Sequence, residues 1–192
     1  MFLKDPTTAE AAAYLEKDRA ATGYVMNLER AWAWRPDIAE GFVALRKQLT
    51  DGSSLTPREI ALLVCASVRA LGDSYCSIAW GSRLAKLADP SVAAEVLRGV
   101  DAPALTGREI ALRRWADQVV RNPNGTSAAQ VDALRTAGLS EREIFEATVY
   151  VAFRLAFSTV NDALGAPPDA ELVAAAPPEV LATVTYGRQP SS

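Results

Sequence analysis

The chain has 192 residues, 49% of them hydrophobic, a formal net charge of -3 and no histidine. That length can bury one substantial core. With no basic block and no apolar run near the ~18 residues of a membrane span, neither nucleic acid nor a bilayer is expected as a partner. The missing histidine removes the commonest general base and every His-containing metal site, so neither a metal nor an organic cofactor has support in the sequence.

Residues 1–19 have neither a basic start nor an apolar signal core, which points to a cytoplasmic protein. Residues 8–19 are alanine-rich and favour a helix ended by Gly23. Residues 28–34 form a short helical segment, in which Trp32 and Trp34 must face different sides. Pro36 starts a helix whose apolar stripe, Ile38, Phe42, Leu45 and Leu49, predicts a peripheral element. After the turn Asp51-Gly52-Ser53-Ser54, Thr56 and Glu59 form a capping box with Pro57 at the first helical position. Ile60 to Val68 is apolar on nearly every side, as in a helix at the centre of a core. Gly72 can end that helix, and Asp73 or Ser74 can cap the next one, which puts Cys76 in its first turn.

Asp89-Pro90 breaks that helix and residues 91–98 give another. The opening phrase then recurs, LTPREIAL at Leu55 against LTGREIAL at Leu105, with a looser third copy, LSEREIFEA, at Leu139. All three are capping boxes, and the first two are long enough to suggest two duplicated helical halves. Helices follow over 108–120, from a Ser127 cap to Thr136, and over 141–164, the last closed by Gly165 and Pro167-Pro168. No strand pattern of useful length occurs, so the expected fold is all-α. Residues 1–176 read as a single domain, with 177–192 as an extended C-terminal tail lying on a neighbouring subunit.

Glu59, the apolar helix after it and the cysteine-containing turn into another helix resemble the alkylhydroperoxidase D-like, or carboxymuconolactone decarboxylase-like, superfamily, in its uncharacterised peroxidase-related branch. The redox-active members have a Glu, then Cys-x-x-Cys, then a His four residues later. Here Cys76 matches the second cysteine, Asp73 stands at the first and Trp80 stands at the histidine, while the spacing from Glu59 is slightly longer than in the family. The resemblance implies an AhpD-like helical fold, a homo-oligomer, and reduction of a small hydroperoxide through Cys76.

Each residue also has a plainer reading. Cys76, at a helix start that favours a thiolate, could attack a peroxide, or be a small buried hydrophobe whose thiol Asp73 makes harder to ionise. Cys65 could resolve an oxidised Cys76 in place of the missing first cysteine, an external thiol being the alternative, or simply pack in the core. Glu59 could relay protons, but its place in a capping box already accounts for it. Arg154, inside an apolar helix, needs a partner such as Glu59 or Asp73, or else a cavity. A substrate pocket lined by Arg154, Cys76, Tyr75 and Trp80, beside Asp73, is the site expected. The competing readings are a helical scaffold that binds a small molecule or partner without catalysis, and a carboxymuconolactone decarboxylase-like enzyme.

Overall fold

The computed structural model describes residues 1–190. Among them there is no strand, and the chain folds as eleven α-helices with one short 3-10 turn at Pro123–Gly125, the all-α architecture expected. In order they are α1 (Ala9–Thr22), α2 (Asn27–Trp32), α3 (Pro36–Asp51), α4 (Pro57–Leu71), α5 (Ser74–Leu87), α6 (Pro90–Arg98), α7 (Gly107–Arg121), α8 (Ala128–Thr136), α9 (Glu141–Ala163), α10 (Ala170–Ala174) and α11 (Pro178–Thr183). No helix is long and apolar enough to cross a membrane among the described residues.

The helix starts are where side-chain caps place them. Thr56, Thr106 and Ser140 each accept a bond from the backbone of the Glu three residues on, and each Glu reaches back to its cap. Two donors left over at each helix start are satisfied in this way. Helix α4 is central, packed against α5, α6, α7 and α9. Every residue from Glu59 to Val68 is buried, with Leu62 and Leu63 wholly so, as the all-round apolar run predicts.

The two matching phrases are joined through their charges. Arg58 Nε donates to Glu109 at 2.6 Å, and Arg108 Nε donates to Glu59 at 2.6 Å. Each copy's arginine therefore reaches the other copy's capping glutamate, a reciprocal arrangement that ties the starts of α4 and α7 together. Arg108 does more than Arg58: it also bonds Glu143, of the third box, and the Gly138 carbonyl.

Two regions differ from the sequence reading. Residues from Pro177 do not run extended, because α11 packs on α6 and α5 with Val180 fully buried. Beyond it Tyr186 donates to Ser77 at 3.0 Å and the Arg188 carbonyl accepts from Ser74 at 2.7 Å, so this segment closes over its own chain. Gly81 makes the approach possible, since a Cβ there would meet Leu97 Cδ1 at 2.7 Å and Val180 Cγ1 at 2.8 Å. The second difference is the rotation of α3. Ile38 and Leu45 are half exposed, while Ala39, Phe42, Arg46 and Leu49 turn inward. Of the two neighbouring tryptophans, Trp32 is buried and bonds Asn161, whereas Trp34 is exposed.

Candidate functional site

Gly72 takes the left-handed conformation (φ 79°) that ends α4, leaving Asp73 to cap α5. A residue with a Cβ is strained in that region of backbone space, so glycine fits the turn. Asp73 Oδ1 accepts from the Cys76 backbone N–H at 2.8 Å. Its other carboxylate oxygen is buried without a hydrogen-bond partner. Cys76 thus sits in the first turn of α5, where helix-start amides favour an anion, with Val64, Val68, Trp80 and Phe157 packed around it.

Arg154 comes to this thiol from α9. Its Nη1 lies 3.4 Å from Cys76 Sγ, and its guanidinium sits over the rings of Trp80 (5.3 Å) and Phe157 (5.1 Å). The side chain is buried, its Nε has no hydrogen-bond partner, and it makes no ion pair among the described residues. A charge so placed is ordinarily paired or faces a polar cavity.

A cavity of about 210 Å³ does lie there. Cys76, Tyr75, Trp80 and Arg154 all line it, together with Arg46 from α3 and the rings of Phe42 and Phe157. Phe157 stacks on Trp32 (5.2 Å), and Phe42 leans on Phe157 (5.8 Å) and Phe153 (5.7 Å), so the two rings that line the cavity are backed by further aromatic side chains. The Tyr75 hydroxyl is turned away, donating to Asp169. That carboxylate also accepts from the Asn27 backbone N–H, fixing α2 beside α5.

Opposing influences act on the thiol. Burial pushes the Cys76 pKa up most, and the Asp73 charge adds to it. Arg154 pulls the other way, as does the wholly buried Ser158 hydroxyl, which lies near the sulfur without a regular hydrogen-bond partner. The net direction is upward, so the resting group is a thiol. Arg46 is held below its ordinary value by burial first and then by the like charge of Arg154. Glu29, which also lines the cavity, is raised by burial and accepts a hydrogen bond from Tyr14.

Four of the expected site residues therefore come together, with Asp73 directly behind Cys76. Glu59 is not among them, because its carboxylate is occupied by the Thr56 backbone N–H (2.8 Å) and Arg108. The expected pairing of Arg154 with Glu59 or Asp73 does not form. Cys65 does not line the cavity either. It packs in the main core, and burial pushes its thiol well up. Arg46 has no sequence signal, since the apolar stripe of α3 placed it away from the core.

Two larger grooves of about 540 Å³ each lie elsewhere, one along α7 and α8 and one between α3 and α9. Their arginines are already committed, Arg108 to Glu59 and Glu143, Arg114 to Asp101, and Arg142 to Glu146. Neither groove holds a cysteine. Among the described residues no group of three or more Cys, Asp or Glu side chains is placed to hold a metal ion.

No protein-family profile matches the sequence. No curated protein matches it either. Solved structures do. An uncharacterised peroxidase-related protein from Silicibacter sp. TM1040 is 24% identical, with a TM-score of 0.75 over 88% of this chain and 90% of its own. An AhpD-core peroxidase-related protein from Ralstonia eutropha JMP134 is 23% identical, with a TM-score of 0.76 over 89% and 93%. The debrominase Bmp8, as a cysteine-to-alanine variant in complex with 2,3,4-tribromopyrrole, is 16% identical, with a TM-score of 0.73 over 90% and 95%. Near-complete coverage in both directions at these scores establishes the architecture: the chain has the helical fold of the alkylhydroperoxidase AhpD core.

Proposed function

We propose that this protein is a thiol-dependent oxidoreductase in which Cys76 reduces a small organic hydroperoxide admitted to the cavity between α3, α5 and α9. The observation that carries this reading is the Arg154 guanidinium, buried without a carboxylate partner and 3.4 Å from the sulfur. A cation in that place stabilises both the thiolate that attacks and the alkoxide that leaves. In the reaction the sulfur attacks the terminal peroxide oxygen, an S–O bond forms and the O–O bond breaks. The proton given up by the thiol ends on the departing alcohol, and Cys76 is oxidised to a sulfenic acid. An external thiol then condenses with the sulfenic acid, releasing water and leaving a mixed disulfide. A second external thiol regenerates Cys76 and carries away the disulfide. Cys65, packed in another part of the core, is not assigned the resolving role.

The test is rapid mixing of reduced protein with cumene hydroperoxide, followed by tryptophan fluorescence, with the oxidised cysteine identified by mass spectrometry. Oxidation of Cys76 well above the rate of a free thiol at the same pH, absent in Cys76→Ser, supports the proposal. A rate no higher than that of the free thiol sinks it.

A second reading has its own observation. The upward shift of the Cys76 thiol by burial and Asp73 favours a cavity that binds a small molecule without thiol chemistry. In that case Cys76→Ser keeps ligand affinity unchanged. Self-association is proposed as well, on the exposed Ile38, Val43 and Leu45 of α3 and Phe145 of α9. Light scattering after size exclusion tests it, a monomer at micromolar concentration being the adverse result.

A further inference from the structure

We propose that the substrate of this cavity is a small organic anion, a carboxylate on a short apolar or aromatic body, with Arg46 as the residue that selects for it. This rests on the reading of the cavity as the reaction site and adds its substrate class.

Two guanidiniums, Arg46 from α3 and Arg154 from α9, line one cavity of about 210 Å³. Neither makes an ion pair among the described residues, although fifteen other arginine and lysine contacts to carboxylates are formed across them without these two. Like charges facing each other in a part-buried space are unfavourable unless a counter-charge enters. The one carboxylate in the lining, Glu29, accepts a hydrogen bond from Tyr14, lies beyond ion-pair distance of either arginine, and is itself raised toward the neutral form. At most it offsets one of the two positive charges. Arg83 adds to the same sign, its guanidinium 4.9 Å from the Trp80 ring.

The arginines divide the work by position. Arg154 is against the sulfur, where charge moves during reaction. Arg46 comes from a separate helix and makes no hydrogen bond to the sulfur among the described residues, and Phe42, Trp80 and Phe157 line the same cavity as apolar wall. A ligand that carries its anion away from its reacting end matches that layout. The cavity is also smaller than the ~300–1,000 Å³ of sites for drug-sized molecules, which sets the size of the ligand.

The test separates charge from shape and from thiol reactivity. Cys76→Ser protein is titrated with benzoate and with its neutral isostere benzamide at low ionic strength, followed by tryptophan fluorescence and thermal shift. The same titrations are repeated in Cys76→Ser with Arg46→Gln, a half-buried site on α3 where the change leaves the core alone. Benzoate is expected to bind about tenfold or more tighter than benzamide, the value of one charge-assisted hydrogen bond. Arg46→Gln is expected to remove that preference and leave benzamide binding as it was. Equal binding of the two probes, a preference that survives Arg46→Gln, or no binding of benzoate and of hexanoate alike, overturns the proposal. Because the titrated protein has no thiol at position 76, these failures leave hydroperoxide reduction standing, and a slow Cys76 in the wild type leaves the anion site standing.

Discussion

If Arg154 is present for chemistry and not for stability, replacing it with methionine should make the unliganded protein more stable and less reactive. The side chain is 6% exposed and has no carboxylate partner, and an ion so placed forfeits several kcal/mol of hydration. Against that stand two ring faces, at ~0.5–2 kcal/mol each, and one contact to a neutral thiol. Methionine occupies a similar length, has no charge and favours contact with aromatic rings. The balance predicts a gain of roughly 1–3 kcal/mol, comparable to gains seen when buried ions give way to apolar residues. For a chain of this size that raises the melting temperature by about 2–12 °C. Denaturant unfolding in a buffer with few anions gives the energy directly, since a bound anion would stabilise the wild type by mass action. In the same variant Cys76 loses the charge that lowers its pKa, so its oxidation by peroxide should slow. A variant that loses more than about 1 kcal/mol would refute the reasoning and make Arg154 a structural residue.

Three further outcomes follow from the packing. Arg108→Ala strands Glu59 and Glu143 together and should cost about 3 kcal/mol, whereas Arg58→Ala frees only Glu109 and should cost about half as much; equal midpoints in urea would contradict the hub assigned to Arg108. Asp162 is pushed up to about 6 by burial first and then by Asp73, with Arg188 opposing. Because its folded pKa lies above its unfolded one, its favourable contribution is complete below about pH 4 and is lost as pH rises through the folded pKa. Asp162→Asn should therefore raise stability at pH 7.5 by about 1–2 kcal/mol, discounted for partial exposure, and change little at pH 4; an equal effect at both would refute this. Gly81→Ala forces a Cβ against Leu97 and Val180 and should cost about 1–3 kcal/mol by overpacking, read as a lower unfolding midpoint, and no change would mean that α11 is free to shift.

Local signals carried the helix map. Capping boxes, Pro at the first helical position and a glycine after the last turn act within four or five residues, so Thr56, Asp73, Ser127 and Gly138 mark boundaries that the folded chain keeps. Cys76 was placed by the same local logic. Long-range choices were not legible in this way. The face that α3 buries is chosen by α9, some hundred residues later, and it runs through Ala39, Phe42, Arg46 and Leu49 rather than through the most apolar stripe. Phe42 and Arg46 of that face line the cavity, which is why Arg46 gives no signal in the sequence. Glu59 shows the converse. Its capping role was local and correct, but its ion pair comes from the matching position of the second phrase, and that partner removes it from the site. Residues 178–183 read as extended in the sequence because a six-residue helix between two prolines and a polar end has too little periodicity to register.

The two copies of the repeated phrase part company in what surrounds them. At an offset of 50 residues, Val64, Cys65 and Val68 of α4 correspond to Arg114, Trp115 and Gln118 of α7. In α4 the first and third of these pack behind Cys76 and help to seal the thiol's surroundings. In α7 the corresponding side chains line the open groove against α8, and the Arg114 side chain is 67% exposed. The same offset sets Asp73 against Pro123 and Cys76 against Thr126, an exposed 3-10 turn where α4 is followed by a buried cap and helix. Equal starts are joined by reciprocal Arg–Glu pairs and α9 packs on both helices, while Phe42 and Arg46 of α3 with Arg154 and Phe157 of α9 line the cavity beside Cys76. Water exclusion is what strengthens the field of an unpaired guanidinium on a sulfur. The proposed reaction site lies where α4 leads into the Cys76 helix, with Arg154 brought to the sulfur by α9, whereas the corresponding α7 side chains, Arg114 among them, line a groove against α8 that has no cysteine.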